Sequence, residues 1–164
     1  KRIALAEKSD MDRVGSAIHA FLGMDRELVS DQISHEQADA VLKRWSVSEV
    51  ISPEDLVGIN NQLKTFITAH YPNAIIRTEW PIMIQQDDNQ LTQGWIDLLL
   101  ELPDGYVVID HKSYPGTDVN GLAEKYAGQL EVYRKAIEAM GSKPVKELLL
   151  HLPILGKVVS IVRA

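Results

Sequence analysis

The chain has 164 residues, enough for one domain with a real core, and its 45% hydrophobic and 24% charged content is that of an ordinary globular protein. It contains no cysteine, which excludes disulfides, zinc ribbons and cysteine-ligated iron–sulfur clusters and agrees with a reducing, cytoplasmic setting. A formal net charge of −6 argues against independent tight binding to nucleic acid, whose phosphates are met by Lys and Arg, but not against chemistry on it.

No stretch is apolar and long enough to cross a membrane, and no signal peptide is visible. There is no internal repeat or long linker, so a single domain over 1–164 is expected. The start at Lys1, without Met, reads as a piece of a longer protein or as the trace of a removed tag. In chain order, Val14, Ile18, Phe21 and Leu22 recur at helical spacing and predict a helix over Met11 to Met24, with His19 beside them. Ser34 with Gln37 forms a capping-box pattern and predicts a second helix to about Trp45. A third is expected after Ser52, with Pro53 at its first position, running to about His70.

The pattern then changes to strands. Ala74 to Gln86, Leu91 to Leu102 and Tyr106 to Ser113 read as a three-stranded meander with turns at Asp87-Asp88-Asn89 and Pro103-Asp104-Gly105. A long helix from about Asp118 to Met140 carries the stripe Leu122, Tyr126, Leu130, Tyr133, Ile137 and stops at Gly141. Two strands, Val145 to Leu152 and Lys157 to Val162, close the chain. The expected class is α/β (α+β), a central mixed sheet flanked by helices.

Chemistry concentrates in Gly94-Trp95-Ile96-Asp97 and Val107-Val108-Ile109-Asp110-His111-Lys112. Residues two apart on a strand share a face, so Asp110 and Lys112 point together. If Pro103-Asp104 is a two-residue turn, Asp97 lies opposite Asp110, with Leu99 opposite Val108 and Glu101 opposite Tyr106. A turn with a bulge at Gly105 shifts the register by one and parts the two acids. An isolated Asp-x-Lys on a strand is usually a solvated ion pair. Here each Asp interrupts an apolar run, where a charge is costly without a partner. Two carboxylates brought together invite a hard divalent cation, Mg²⁺ or Mn²⁺, and a neighbouring lysine can hold an attacking water or neutralise developing phosphorane charge.

Gly94-x-x-Asp97, Asp110-x-Lys112 and Gln129-x-x-x-Tyr133, preceded by Gly15-x-x-x-His19, occur in the order that resembles RecB-like nucleases of the PD-(D/E)xK superfamily. The resemblance implies the restriction-endonuclease-like fold of that superfamily, with Asp97, Asp110 and Lys112 as catalytic residues. It implies that His19, Asp97, Asp110 and the backbone carbonyl of His111 hold Mg²⁺ or Mn²⁺, and that Lys112 acts on the water. Gln129 and Tyr133 would line the site or touch the DNA backbone, and Glu79 would stand behind the metal ligands as a supporting group. Each has a plainer reading: His19 as a satisfied surface histidine, Tyr133 as part of the apolar stripe of its helix.

Two positions depart from the pattern: His111 stands where relatives commonly have Tyr, and Tyr114-Pro115-Gly116 follows Ser113. The missing cysteines set the chain apart from the relatives stapled by an iron–sulfur cluster. The nearer match is the nuclease domain of RecB- or AddA-type helicase–nuclease subunits. It implies a bacterial, cytoplasmic DNA nuclease, an exonuclease in repair and recombination, fed a single-stranded end by a helicase domain of the same chain and working with a partner subunit, without a membrane. Two rivals stand beside it: a catalytically silent nuclease fold that binds DNA or a partner protein, and an interaction domain with accidental motifs. The last predicts that Asp97 and Asp110 lie far apart.

Overall fold

The computed structural model describes residues 2–5, 10–24, 31–85, 91–141 and 143–161. Three helices come first: α1 (Met11–Leu22), α2 (Asp31–Arg44) and α3 (Pro53–His70). Strands β1 (Ile75–Gln85), β2 (Leu91–Leu102) and β3 (Gly105–His111) follow, then α4 (Val119–Met140), β4 (Val145–Leu152) and β5 (Lys157–Ser160). The five strands form one mixed sheet in the order β1-β2-β3-β4-β5. Every neighbouring pair is antiparallel except β3 and β4, which are parallel and joined by α4 as the crossover.

The helix ends follow their capping chemistry. Asp10 accepts from Arg13 N–H at the start of α1, Ser52 from Asp55 N–H at the start of α3, and Asp118 from Gly121 N–H at the start of α4. The second helix departs from expectation. It is already helical at Asp31, three residues before Ser34, so Ser34 lies within a turn as a buried residue and not at a cap. Helix α1 ends at Leu22, where the Gly23 N–H bonds back to His19 O, and β3 ends at His111, two residues short of Ser113. The expected turn at 87–89 and the last strand residue, Val162, lie outside the described residues.

The sheet is covered on both faces. Val14, Ile18 and Phe21 of α1, Leu42 of α2 and Leu56 of α3 pack with Leu100, Val107 and Ile109 on one face. Leu130 and Ile137 of α4 pack with Leu99, Val108, Leu148 and Leu150 on the other. This explains why the central strands read as continuous apolar runs: a strand buried on both faces has no solvent side to alternate with. Any charge on these strands therefore faces one of the two packed layers.

Strand alternation breaks at one rung. Leu98 and Leu100 belong to the α1–α3 layer and Leu99 to the α4 layer, as alternation requires, yet Ile96 also belongs to the α4 layer. Ile96 and Leu98, two apart, thus face opposite sides, and Asp97 is the residue between them. On β1 the pairing skips from Thr78↔Leu98 to Trp80↔Ile96, and the skipped residue, Glu79, has φ 48. A left-handed backbone at a non-glycine residue inside a strand is uncommon and costs about 1–2 kcal/mol. The face switch at Glu79 and Asp97 lets both carboxylates turn toward α1.

Candidate active site

Register brings the two acids to the step just beyond the last paired rung of β2 and β3. The pairs Leu98↔Ile109, Leu99↔Val108, Glu101↔Tyr106 and Leu102↔Gly105 are those of the two-residue turn, without the one-residue shift. Regular pairing stops at Leu98↔Ile109, one step before Asp97 and Asp110. There the strands fork, and the His111 N–H donates to Asp97 Oδ2 at 2.7 Å. The accidental-motif rival predicted distant acids, and this placement goes against it.

Helix α1 presents His19 to the fork. Its Nε2 lies 2.7 Å from Asp97 Oδ1, and its Nδ1 lies 3.5 Å from Glu79 Oε1, so one imidazole bridges two carboxylates. One ligand atom from each of His19, Glu79 and Asp97 falls within 4.8 Å of the others, a grouping that can hold a metal ion. Glu79, expected to stand behind the ligands, is thus level with them. Asp110 is not part of this trio.

Asp110 is only 1% exposed, in line with Val108 on the face toward α4. Lys112 Nζ lies 2.8 Å from its Oδ2 and 4.6 Å from the ring centre of Tyr126 on α4. The Lys112 ammonium is the partner of this buried oxygen. A buried carboxylate raised by a second carboxylate nearby is a donor set that a divalent cation would satisfy. On α4, Gln129 donates to the Tyr133 hydroxyl at 2.6 Å.

The electrostatics follow from burial and proximity. Burial, then the charge of Asp97, lifts the Asp110 carboxyl to about 6 against the pull of Lys112. Burial also works to raise Asp97, but the His19 hydrogen bond and the His111 contacts outweigh it and hold that carboxyl below its usual range. The hydrogen bond to Asp97 raises His19. Burial works to lower Lys112, but the nearby Asp110 carboxylate outweighs it and raises the amine, so Lys112 keeps its charge. Burial raises Glu79 and Tyr133, and the Asp97 charge adds to both. Burial pushes His111 down to about 4 and holds it neutral.

One residue of this neighbourhood escaped the sequence reading. His151 on β4 is buried, with Nδ1 3.1 Å from His111 Nδ1, so one ring must donate to the other. Burial and His111 hold it well below the usual histidine range. Its signal was available: a histidine interrupting Leu148-Leu149-Leu150 and Leu152 is the same anomaly that marks Asp97 and Asp110.

A sequence profile of the PD-(D/E)XK nuclease superfamily matches residues 2–161. Several bacterial ATP-dependent helicase/nuclease subunits, all of the same type, are similar to the chain. That of Desulforamulus reducens is 28% identical over 90% of this chain and 13% of its own length. That of Ligilactobacillus salivarius is 28% identical over 88% of this chain and 13% of its own. That of Pediococcus pentosaceus is 31% identical over 95% of this chain and 14% of its own. The chain therefore spans only a small part of the length of these relatives.

Proposed function

The chain belongs to the PD-(D/E)XK nuclease superfamily, and from that premise we propose that it is a divalent-metal-dependent deoxyribonuclease whose reactive centre is Asp97, Asp110 and Lys112. The observation that carries this reading is the buried Asp110 carboxylate, ion-paired with Lys112 at 2.8 Å where β2 and β3 fork beside Asp97.

Asp97, Asp110, His19 and the backbone carbonyl of His111 would hold the ion, with Glu79 close enough to His19 to join them. Oxygen-rich donors with a single imidazole favour Mg²⁺ or Mn²⁺. A bound ion supplies Lewis acidity at the scissile phosphate and lowers the pKa of a water. The protein's own groups do the rest. His19 and the His111 N–H fix the Asp97 carboxylate in place. Lys112, protonated and tethered by Asp110, orients the attacking water or meets charge growing on phosphate oxygens. Gln129 and Tyr133, already bonded to each other, offer polar hydrogens to the DNA backbone. His111 and His151, kept neutral, put no competing cation behind the site.

The names of the relatives support a place beside a helicase motor in a bacterial enzyme of more than one subunit, and we extend that reading to a cytoplasmic enzyme that degrades a single-stranded end during repair or recombination. Delivery by such a motor suits a domain of net charge −6, because capture of DNA from solution draws on Lys and Arg contacts to phosphate. Among the described residues, no helix is long and apolar enough to cross a membrane.

The test is cleavage of linear single-stranded DNA with Mg²⁺, Mn²⁺ or EDTA. Wild type should cut only with metal. Alanine at Asp97, Asp110 or Lys112 should lower the rate by at least about 10²–10³-fold, with an unchanged circular dichroism spectrum. Equal cutting by wild type and Lys112→Ala would overturn the assignment.

A further inference from the structure

We propose that the cleft between the end of α2, α1 and the exit of β3 is a nucleobase subsite, with Trp45 as its stacking wall. The proposal rests on the nuclease reading and adds to it which part of the substrate lies next to the reactive centre, and on what.

The cleft measures about 440 Å³, within the ~300–1,000 Å³ span of small-ligand sites. It shares His19 and Lys112 with the proposed reactive centre, so whatever fills it sits beside that centre. Two other sizeable cavities do not meet this condition. One, of about 400 Å³ between α3 and β1, is lined by Leu63, Ile67 and Ile76, and one of about 350 Å³ lies beside Phe66 and Lys157.

Its walls select the occupant. Gly15, Ala20 and the Trp45 ring give it a mainly apolar lining, while Ser16 and Ser113 add hydroxyls. Among the described residues no carboxylate lines it, and Lys112 borders it with its ammonium turned toward Asp110 and Tyr126. A phosphate would need more positive charge than that, and a purely apolar group would waste the hydroxyls. A flat ring with apolar faces and polar edges fits both, and a base seated there leaves its phosphate at the Lys112 end.

Trp45 is half-buried at the end of α2 and packs partly against the core, so its ring is held in place before any ligand arrives. Its Nε1 has no hydrogen-bond partner, although a tucked-in indole N–H normally finds one. Stacking on a fixed indole is tolerant of base identity because every base has a π face. The subsite would hold a strand in register without reading its sequence.

The experiment compares wild type with Trp45→Phe, Trp45→Leu and Trp45→Ala, using fluorescence anisotropy in EDTA and cleavage in Mn²⁺. The probes are an oligothymidylate and an abasic oligonucleotide of equal length. Wild type and Trp45→Phe should prefer the base-bearing strand. Trp45→Leu, which keeps apolar bulk without a ring, should bind it about tenfold more weakly. All should bind the abasic strand alike, and KM should rise with kcat little changed. Trp45→Ala should match Trp45→Leu; if it fails to fold, the leucine and phenylalanine variants decide. The proposal is overturned if wild type shows no preference for bases, or if Trp45→Leu retains it. A wild type that prefers bases yet cuts with neither metal would sink the nuclease reading and leave the subsite standing. Metal-dependent cutting with a neutral Trp45→Leu would do the reverse.

Discussion

Glu79 carries two conflicting demands. Its left-handed φ of 48 favours glycine, while its carboxylate faces His19 and the proposed ion. Strain of this kind persists at sites where geometry is worth more than stability. Glu79→Gly should therefore be more stable than Glu79→Ala by about 1 kcal/mol, measured by denaturant unfolding in EDTA. Both should bind Mn²⁺ more weakly than wild type. Equal stability of the two variants would mean that the backbone at this position is relaxed.

Asp110 gives a pH signature. Its carboxyl is raised to about 6 in the fold, so the fold prefers its protonated form. In metal-free protein its contribution is fully present below the ordinary carboxylate range and is lost as pH rises through about 6. A shift of this size corresponds to roughly 3 kcal/mol. Asp110→Asn should thus exceed wild type in stability at pH 8 in EDTA, and the advantage should vanish near pH 4. His111 and His151 have the opposite sign: burial holds them neutral, so their contribution is lost as pH falls below the ordinary histidine range. Neither is shifted by Asp110, so the difference between the two melting curves reports Asp110 together with its coupled neighbours Asp97, Lys112 and His19. An unchanged difference from pH 4 to pH 8 would contradict this assignment of the shift.

At the scale of elements, helix starts were legible where a side chain caps them and obscure where none was visible. Ser52-Pro53 marks α3 because Ser52 accepts the Asp55 N–H at 3.1 Å and proline needs no hydrogen bond there. Ser52→Ala should cost about 1 kcal/mol, read as a shift of the urea midpoint without a change in slope. The pattern at Ser34 misled because the helix enters from Asp31, which leaves the Ser34 side chain with no free helix end to cap. Strands β2 and β3 were legible as apolar runs, and their register followed from the short turn at Pro103-Asp104. Asp97 and Asp110 stood out because each breaks such a run. The face switch at Glu79 did not, since it depends on a backbone angle that glycine would have advertised and glutamate conceals.

Across the whole molecule, the two layers perform different tasks for the site. The α1–α3 layer supplies His19 and the Trp45 wall, and α4 supplies Gln129, Tyr133 and the aromatic ring over Lys112. The sheet between them carries both acids. Its β1 edge is long and bears exposed Ile75, Ile76 and Met83, although Pro81 interrupts its hydrogen-bonding capacity.

His19 and Asp97 meet across 78 positions of sequence, so the fork they occupy needs α1 docked on a sheet whose strands come later in the chain. Loop closure over such distances is slow compared with forming a helix or a hairpin. A ribosome-bound or half-unfolded chain can therefore own every residue of the reactive centre and still possess none of its reactivity.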